Sequence, residues 1–224
     1  VIFGGARGGG KSWTVRTKST LLCLHYAGIK VLIVRRTYPE LVANHIDPLK
    51  TLLRGVARYN GVDKKFLFVN GSAIKLGYCA KDDDLRQYQG QEYDVIFVDE
   101  ATQLTEWQIK QIAVCVRGAN AYPKRLYLTC NPGGKGHQYV RRLVERRFKP
   151  EEDPADYEFI QSLVTDNAAL MAAQPDYVKM LDALPARLRD AWRYGRWDVF
   201  EGQFFEEFRD DPAHYADRRW THVI

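Results

Sequence analysis

The 224-residue chain is 46% hydrophobic, enough to bury a sizeable core and fitting one domain plus an appendage. It has no apolar run of about 18 residues and no basic-then-apolar-then-small start, so neither a membrane span nor a signal peptide is expected and the chain reads as soluble. Cys23, Cys79, Cys115 and Cys130 form no C-x-x-C pair and suit reduced thiols better than disulfides or zinc, while a net charge of +5 is compatible with a polyanionic partner without establishing one.

Val1-Ile2-Phe3 reads as the end of a buried strand, followed by a glycine-dense loop and a helical run over 11–26 that Gly28 closes. Because the chain opens on Val1 with the loop within five residues, it is expected to be a piece of a longer protein, with any adenine-contacting segment upstream. The β-branched run at 31–34 predicts a second buried parallel strand, and Pro39 sits where a helix can start. Asn70-Gly71, between two alternating stretches within 66–78, predicts an antiparallel hairpin. A continuous apolar strand at 94–99 ends in acid, Thr105 precedes a helix to about 116 that Gly118 can end, and 126–131 form another central strand stopped by Pro132-Gly133-Gly134. Composition shifts at the acidic, proline-marked 151–154, after which a strand at 157–164 and helices around 177–194 are expected. In an open α/β sheet, ligands bind beyond the carboxyl ends of the strands, so the loop, Asp99-Glu100 and Thr129 to Asn131 should share one crevice.

Gly5-Ala6-Arg7-Gly8-Gly9-Gly10-Lys11-Ser12 matches G-x-x-x-x-G-K-[ST] between a strand and a helix. Its backbone N–H groups line a nest for phosphate oxygens at a helix N-terminus, Lys11 should reach the β/γ-phosphates, and the Ser12 hydroxyl should ligate Mg²⁺. Arg7 inside the loop either stabilises the γ-phosphate or is a solvated arginine. Asp99, after four apolar residues, is placed to hold Mg²⁺, and Glu100 to orient and deprotonate the attacking water. No Asn-Lys-x-Asp guanine motif occurs, so ATP is the expected nucleotide. Thr129 and Asn131 can touch the γ-phosphate or its water, or simply cap the turn at Pro132. Arg86 reads either as an arginine finger for a neighbouring subunit's nucleotide or as a solvated loop residue. The basic stretch 141–147 is a solvated helix face or a contact for a phosphate backbone.

Together these motifs resemble the ATPase domain of the large subunit of tailed-bacteriophage terminases, the motors that package DNA into procapsids. The resemblance rests on the arginine-bearing loop from Gly4 to Ser12, Tyr88-Gln89-Gly90 ahead of Asp99-Glu100-Ala101-Thr102-Gln103, Thr129-Cys130-Asn131-Pro132-Gly133-Gly134, and Trp192-x-x-Gly195-x-Trp197 running on to Phe205. It implies an α/β, RecA-like P-loop ATPase of the additional-strand, catalytic-glutamate class, its mostly parallel sheet flanked by helices and joined by a small helical lid or linker. The expected divisions are 1–150 as the ATPase core, 151–200 as the lid and 201–224 as a junction toward a nuclease domain. Lys11 and Ser12 are then the phosphate and Mg²⁺ ligands, Asp99 the second metal ligand, Glu100 the catalytic carboxylate with Arg7 and Arg86 assisting, and Thr129, Cys130 and Asn131 the coupling motif. Implied partners are double-stranded DNA, a portal protein and a small subunit, with a homo-oligomeric ring when active, a monomer as an isolated piece, and a site of action in the host cytoplasm. Nuclease activity is expected to be absent from this piece, leaving Glu206, Glu207, Asp210 and Asp211 as a solvated acidic segment. A helicase is the alternative within the class; a nucleotide-dependent switch or kinase is the alternative outside it.

Overall fold

The structure, a computed structural model, describes residues 1–199; the junction expected at 201–224, with its acidic segment at 206–211, lies outside them. Strands β1 (Ile2–Gly5), β2 (Lys30–Arg35), β3 (Ala57–Asn60), β4 (Lys65–Phe68), β5 (Ala73–Tyr78), β6 (Val95–Val98), β7 (Arg125–Cys130) and β8 (Phe159–Ser162) form a single sheet in the order β3-β4-β5-β2-β6-β7-β1-β8. All neighbours from β5 to β8 are parallel, and only β3-β4 and β4-β5 run antiparallel. The hairpin expected at Asn70-Gly71 is present, pairing Phe66 with Ile74. β3 was not expected: its Ala-Arg-Tyr-Asn sequence carries almost no apolar signal, because an edge strand need bury only part of one face.

The uninterrupted apolar runs of β2 and β6 have a simple physical cause. Period-2 alternation sends Leu32, Val34, Ile96 and Val98 to one side and Val31, Ile33, Val95 and Phe97 to the other, and both sides are covered. On the first side lie α4 (Glu106–Ala113) and α5 (His137–Val144), through Ile109, Ile112, Val140 and Leu143; on the second lies α1 (Lys11–His25), through Val15 and Cys23. Thr105 caps α4 as expected, its hydroxyl accepting from Gln108 N while the Gln108 side chain accepts from Thr105 N. α1 ends at His25 with Tyr26 as its cap, and Gly28 lies beyond the helix at φ 76°, where the chain reverses into β2.

Between β2 and β3 the chain forms one continuous helical run: α2 (Tyr38–Leu41), a π-helical turn (Val42–Ile46) and α3 (Asp47–Leu52). Pro48 has no N–H to offer the carbonyl of Asn44, four residues back, and that carbonyl instead accepts a hydrogen bond from the Arg16 guanidinium. The widened turn buries His45 completely.

The expected strand near 157–164 is β8, which pairs with β1, so the sheet crosses the boundary expected at residue 150. Three short helices follow: α6 (Ala168–Ala173), which the sequence did not announce, α7 (Tyr177–Asp182) and α8 (Ala186–Trp192), the last two separated at Pro185.

Candidate nucleotide site

The loop between β1 and α1 wraps a concave surface, and its glycines answer to specific demands. Gly10 feeds α1 from φ 78°, a left-handed conformation costly to residues with a Cβ. Gly9 lies so close to β8 that a Cβ would fall 2.0 Å from the Ser162 hydroxyl, which donates to the Gly9 carbonyl at 2.9 Å. Lys11 is buried and donates to the Ala6 carbonyl, which curls the loop over its own lysine. Burial draws the Lys11 ammonium below its ordinary value, opposed by the nearby Glu100 and Asp99 charges. The cleft above the loop holds about 410 Å³ and is walled by Gly8 to Trp13, Glu100 and Asn131 on one side and Asn167, Leu170 and Tyr177 on the other.

Asp99 sits at the carboxyl end of β6 with 1% of its surface exposed. Ser12 Oγ donates to Asp99 Oδ2 at 3.0 Å and Thr129 Oγ1 to Oδ1 at 2.5 Å. His45 Nε2 lies 2.8 Å and Arg35 Nε 3.1 Å from Oδ2. Burial alone would raise the Asp99 carboxyl, but the His45 hydrogen bond and charge, Arg35 and Thr129 outweigh it and hold the group well below the usual carboxylate range. The aspartate is therefore ionised, with Ser12 beside it at a helix N-terminus.

Glu100 is built differently. Its backbone is left-handed at φ 58°, uncommon for a residue with a side chain, and its N–H is held at 3.1 Å by the same Thr129 hydroxyl that donates to Asp99. This turn aims the glutamate out of the sheet into the cleft, where 27% of its side chain is exposed. Asn131 Nδ2 donates to Glu100 Oε1 at 3.3 Å, and an Arg35 nitrogen lies 3.4 Å from the same oxygen. The Asn131 backbone is fixed by Thr102, whose hydroxyl donates to its carbonyl at 2.9 Å, while Asn131 Oδ1 is buried without a hydrogen-bond partner.

The sequence-predicted residues thus converge, with qualifications. Arg7 to Ser12, Glu100 and Asn131 line one crevice, with Asp99 and Thr129 buried beneath it and hydrogen-bonded to each other, and Asp99 to Ser12. Cys130 turns away from it: its thiol is wholly buried in the core beside Gly4 and pushed up to about 12 by desolvation. Arg7 lines the cleft, but its guanidinium lies 3.2 Å above the Trp192 ring and its N–H donates to the Trp192 carbonyl at 2.8 Å. Arg86 lies outside the crevice on a 3₁₀ turn (Asp82–Tyr88), largely exposed and 3.6 Å from Asp83. The 141–147 stretch is engaged internally: Arg141 donates to Glu145, Arg142 forks onto Glu152 with both terminal nitrogens, and Arg147 pairs with Glu145.

Arg35 and His45 escaped sequence reasoning. Arg35 had a usable signal, since it closes an apolar strand on the ligand-binding edge of the sheet. His45 had only Pro48, three residues on, as a sign of a disturbed helix.

Mg²⁺ chemistry suits the donor set. Among the described residues no cluster of three or more His, Cys, Asp or Glu could hold a metal by itself, and Mg²⁺ is ordinarily held by one or two protein oxygens plus phosphates and water. Ionised Asp99 next to the Ser12 hydroxyl is such a pair. No helix among the described residues is long and apolar enough to cross a membrane.

Comparison with known proteins agrees with this arrangement. The family model described as phage terminase large subunit matches residues 1–196. No curated protein matches the sequence. Among solved structures, a large terminase from a thermophilic bacteriophage is 18% identical with a TM-score of 0.68, covering 88% of this chain and 48% of that one. The same terminase in complex with ADP is 17% identical, with a TM-score of 0.68 and the same coverage. The large terminase ATPase domain of Thermus phage P74-26 is 15% identical with a TM-score of 0.61, covering 88% of this chain and 87% of that one. The chain therefore spans about half the length of the first of these relatives and shares their α/β, RecA-like fold.

Proposed function

From the premise that the chain belongs to the phage terminase large subunit family, we propose that it is the ATP-hydrolysing motor domain of such a subunit, driving double-stranded DNA into a procapsid. The observation that carries the reading is the division of labour between adjacent acids: Asp99 is buried, ionised and hydrogen-bonded to Ser12, while Glu100 is turned by its left-handed backbone into the open cleft. The phosphates lie along the N–H groups of residues 8–12, with the Lys11 ammonium toward the β/γ bridge. Ser12 and Asp99 would hold Mg²⁺, which would supply charge neutralisation of the phosphate oxygens. Glu100 takes a proton from the attacking water, and Asn131, whose side-chain amide donates to Glu100 Oε1, holds that carboxylate in place. Thr129 joins both acids through one hydroxyl, so a change at the terminal phosphate reaches β7 and the loop after Asn131.

Arg7 leaves Trp192 for the terminal phosphate when nucleotide binds, and exposed Arg86 acts on a neighbouring subunit's nucleotide in a ring. α6–α8 form the lid. Portal protein and small subunit are the protein partners, and the host cytoplasm is the place of action.

The test is steady-state ATP turnover with and without double-stranded DNA, for wild type and Lys11→Ala. Wild type is expected to hydrolyse ATP faster with DNA, and Lys11→Ala to bind ATP at least about tenfold more weakly, the scale of losing hydrogen bonds from a charged donor. Saturable ATP binding with no turnover, with or without DNA, would instead favour a switch.

A further inference from the structure

Resting on the reading of the loop as a triphosphate site, we infer that Trp13 is the stacking platform for the aromatic base of the bound nucleotide. The sheet order supplies direction. Along the carboxyl edge, β6 carries Asp99 and Glu100, β7 carries Asn131, β1 carries the loop, and β8 leads into residues 163–167. The hydrolytic acids fix the terminal phosphate on the β6–β7 side, so the phosphate chain, running over the loop, delivers its nucleoside end on the β8 side.

On that side the next residue after Ser12 is Trp13, in the first turn of α1 and 63% exposed. Its indole borders both the cleft over the loop and an adjoining cleft of about 370 Å³ whose far wall includes Gln161, Asp166, Asn167 and Ala168. A large aromatic left open to water beside a phosphate loop, lining both that cleft and the one adjoining it, has the position and chemistry to cover a base. Two of the polar groups facing it already have partners within the protein, while the exposed Gln161 side chain is a further polar group on that wall. Asn167 donates to the Gly8 carbonyl at 2.8 Å and accepts from Leu170 N at 3.2 Å, and Asp166 accepts from Leu163 N at 2.7 Å. Trp13 accordingly contributes by stacking, which every base can share, and its removal weakens ATP and GTP alike.

Calorimetric binding of Mg·ATP, Mg·GTP and Mg·tripolyphosphate to the full chain separates base from phosphate. Trp13→Ala should weaken both nucleotides by about tenfold, the scale of one base–aromatic stack, leave tripolyphosphate unchanged, and be largely rescued by Trp13→Phe. Nucleotide affinity equal to wild type in Trp13→Ala would overturn the assignment and point to the exposed Leu21 and Leu24 of α1 as continuing a protein-docking face through Trp13. Equal loss of tripolyphosphate would also overturn it, by making Trp13 a support of the loop. Lys11→Ala binding tripolyphosphate as tightly as wild type would instead defeat the phosphate-site reading beneath it.

Discussion

The two walls of the cleft are built from different materials. On the β2–β6–β7 side, Arg35, His45, Asp99 and Thr129 are all buried, the other three hydrogen-bonded or ion-paired to Asp99. On the β8 side, α6 buries no residue, while α7 buries Leu181 and α8 Ala191. This wall is fastened to the loop itself: Asn167 to Gly8, Trp192 over Arg7, and Gly195 against Gly5. Fixed charges on one side need no rearrangement when charge develops at the terminal phosphate. A lightly buried wall tied to the phosphate loop is free to follow nucleotide binding and release. We read the difference as a chemical wall facing a moving one.

Several substitutions can break or sharpen this contrast. The largest stability effect belongs to His45→Ala, which strips a partner from the buried Asp99 carboxylate and should cost about 3 kcal/mol, read as a lowered denaturation midpoint without nucleotide. Trp192→Ala, on the moving wall, should cost only about 0.5–1 kcal/mol, the scale of an exposed cation–π contact, yet change ATP affinity because Arg7 is released. If the two variants lost equal stability, the walls would not differ as described.

The smallest effect lies away from the cleft. The Arg142 hydrogen bond draws the Glu152 carboxyl from about 4.5 down to about 2. A depressed carboxylate stabilises above its unfolded value and loses that contribution as pH falls through the folded one. Glu152→Gln should therefore destabilise the fold slightly at pH 7, by about 0.5–1 kcal/mol on the scale of an ion pair near the surface, read as a lowered melting temperature, and the gap to wild type should close as the pH falls from about 4.5 to about 2.

Much of the chemical wall was legible because apolar runs ending in polar residues, at 94–99 and 126–131, fix both the strand and the edge where its function lies. Glu100 could be assigned from its place after Asp99, but not its left-handed backbone, which depends on Thr129 twenty-nine residues away. Arg35 and His45 matter only because β2 and the π turn fold back on Asp99, and that turn is set by Pro48 together with Arg16 from another helix. Cys130 shows the converse: adjacent in sequence to two cleft residues, it points into the core because side chains alternate along a strand. The strand after the composition change at 151–154 was legible, whereas its pairing with β1 was not, since Phe-Ile-Gln-Ser carries little of the apolar signal of the central strands.

The account stands most directly on Glu100. Single-turnover hydrolysis of Mg·ATP by Glu100→Gln, alongside ATP affinity by calorimetry, should show affinity close to wild type and a rate lower by about 10²–10⁴-fold, the range for losing a positioned base. Hydrolysis at the wild-type rate in that variant would contradict the assignment of this residue, and with it the division of labour between Asp99 and Glu100.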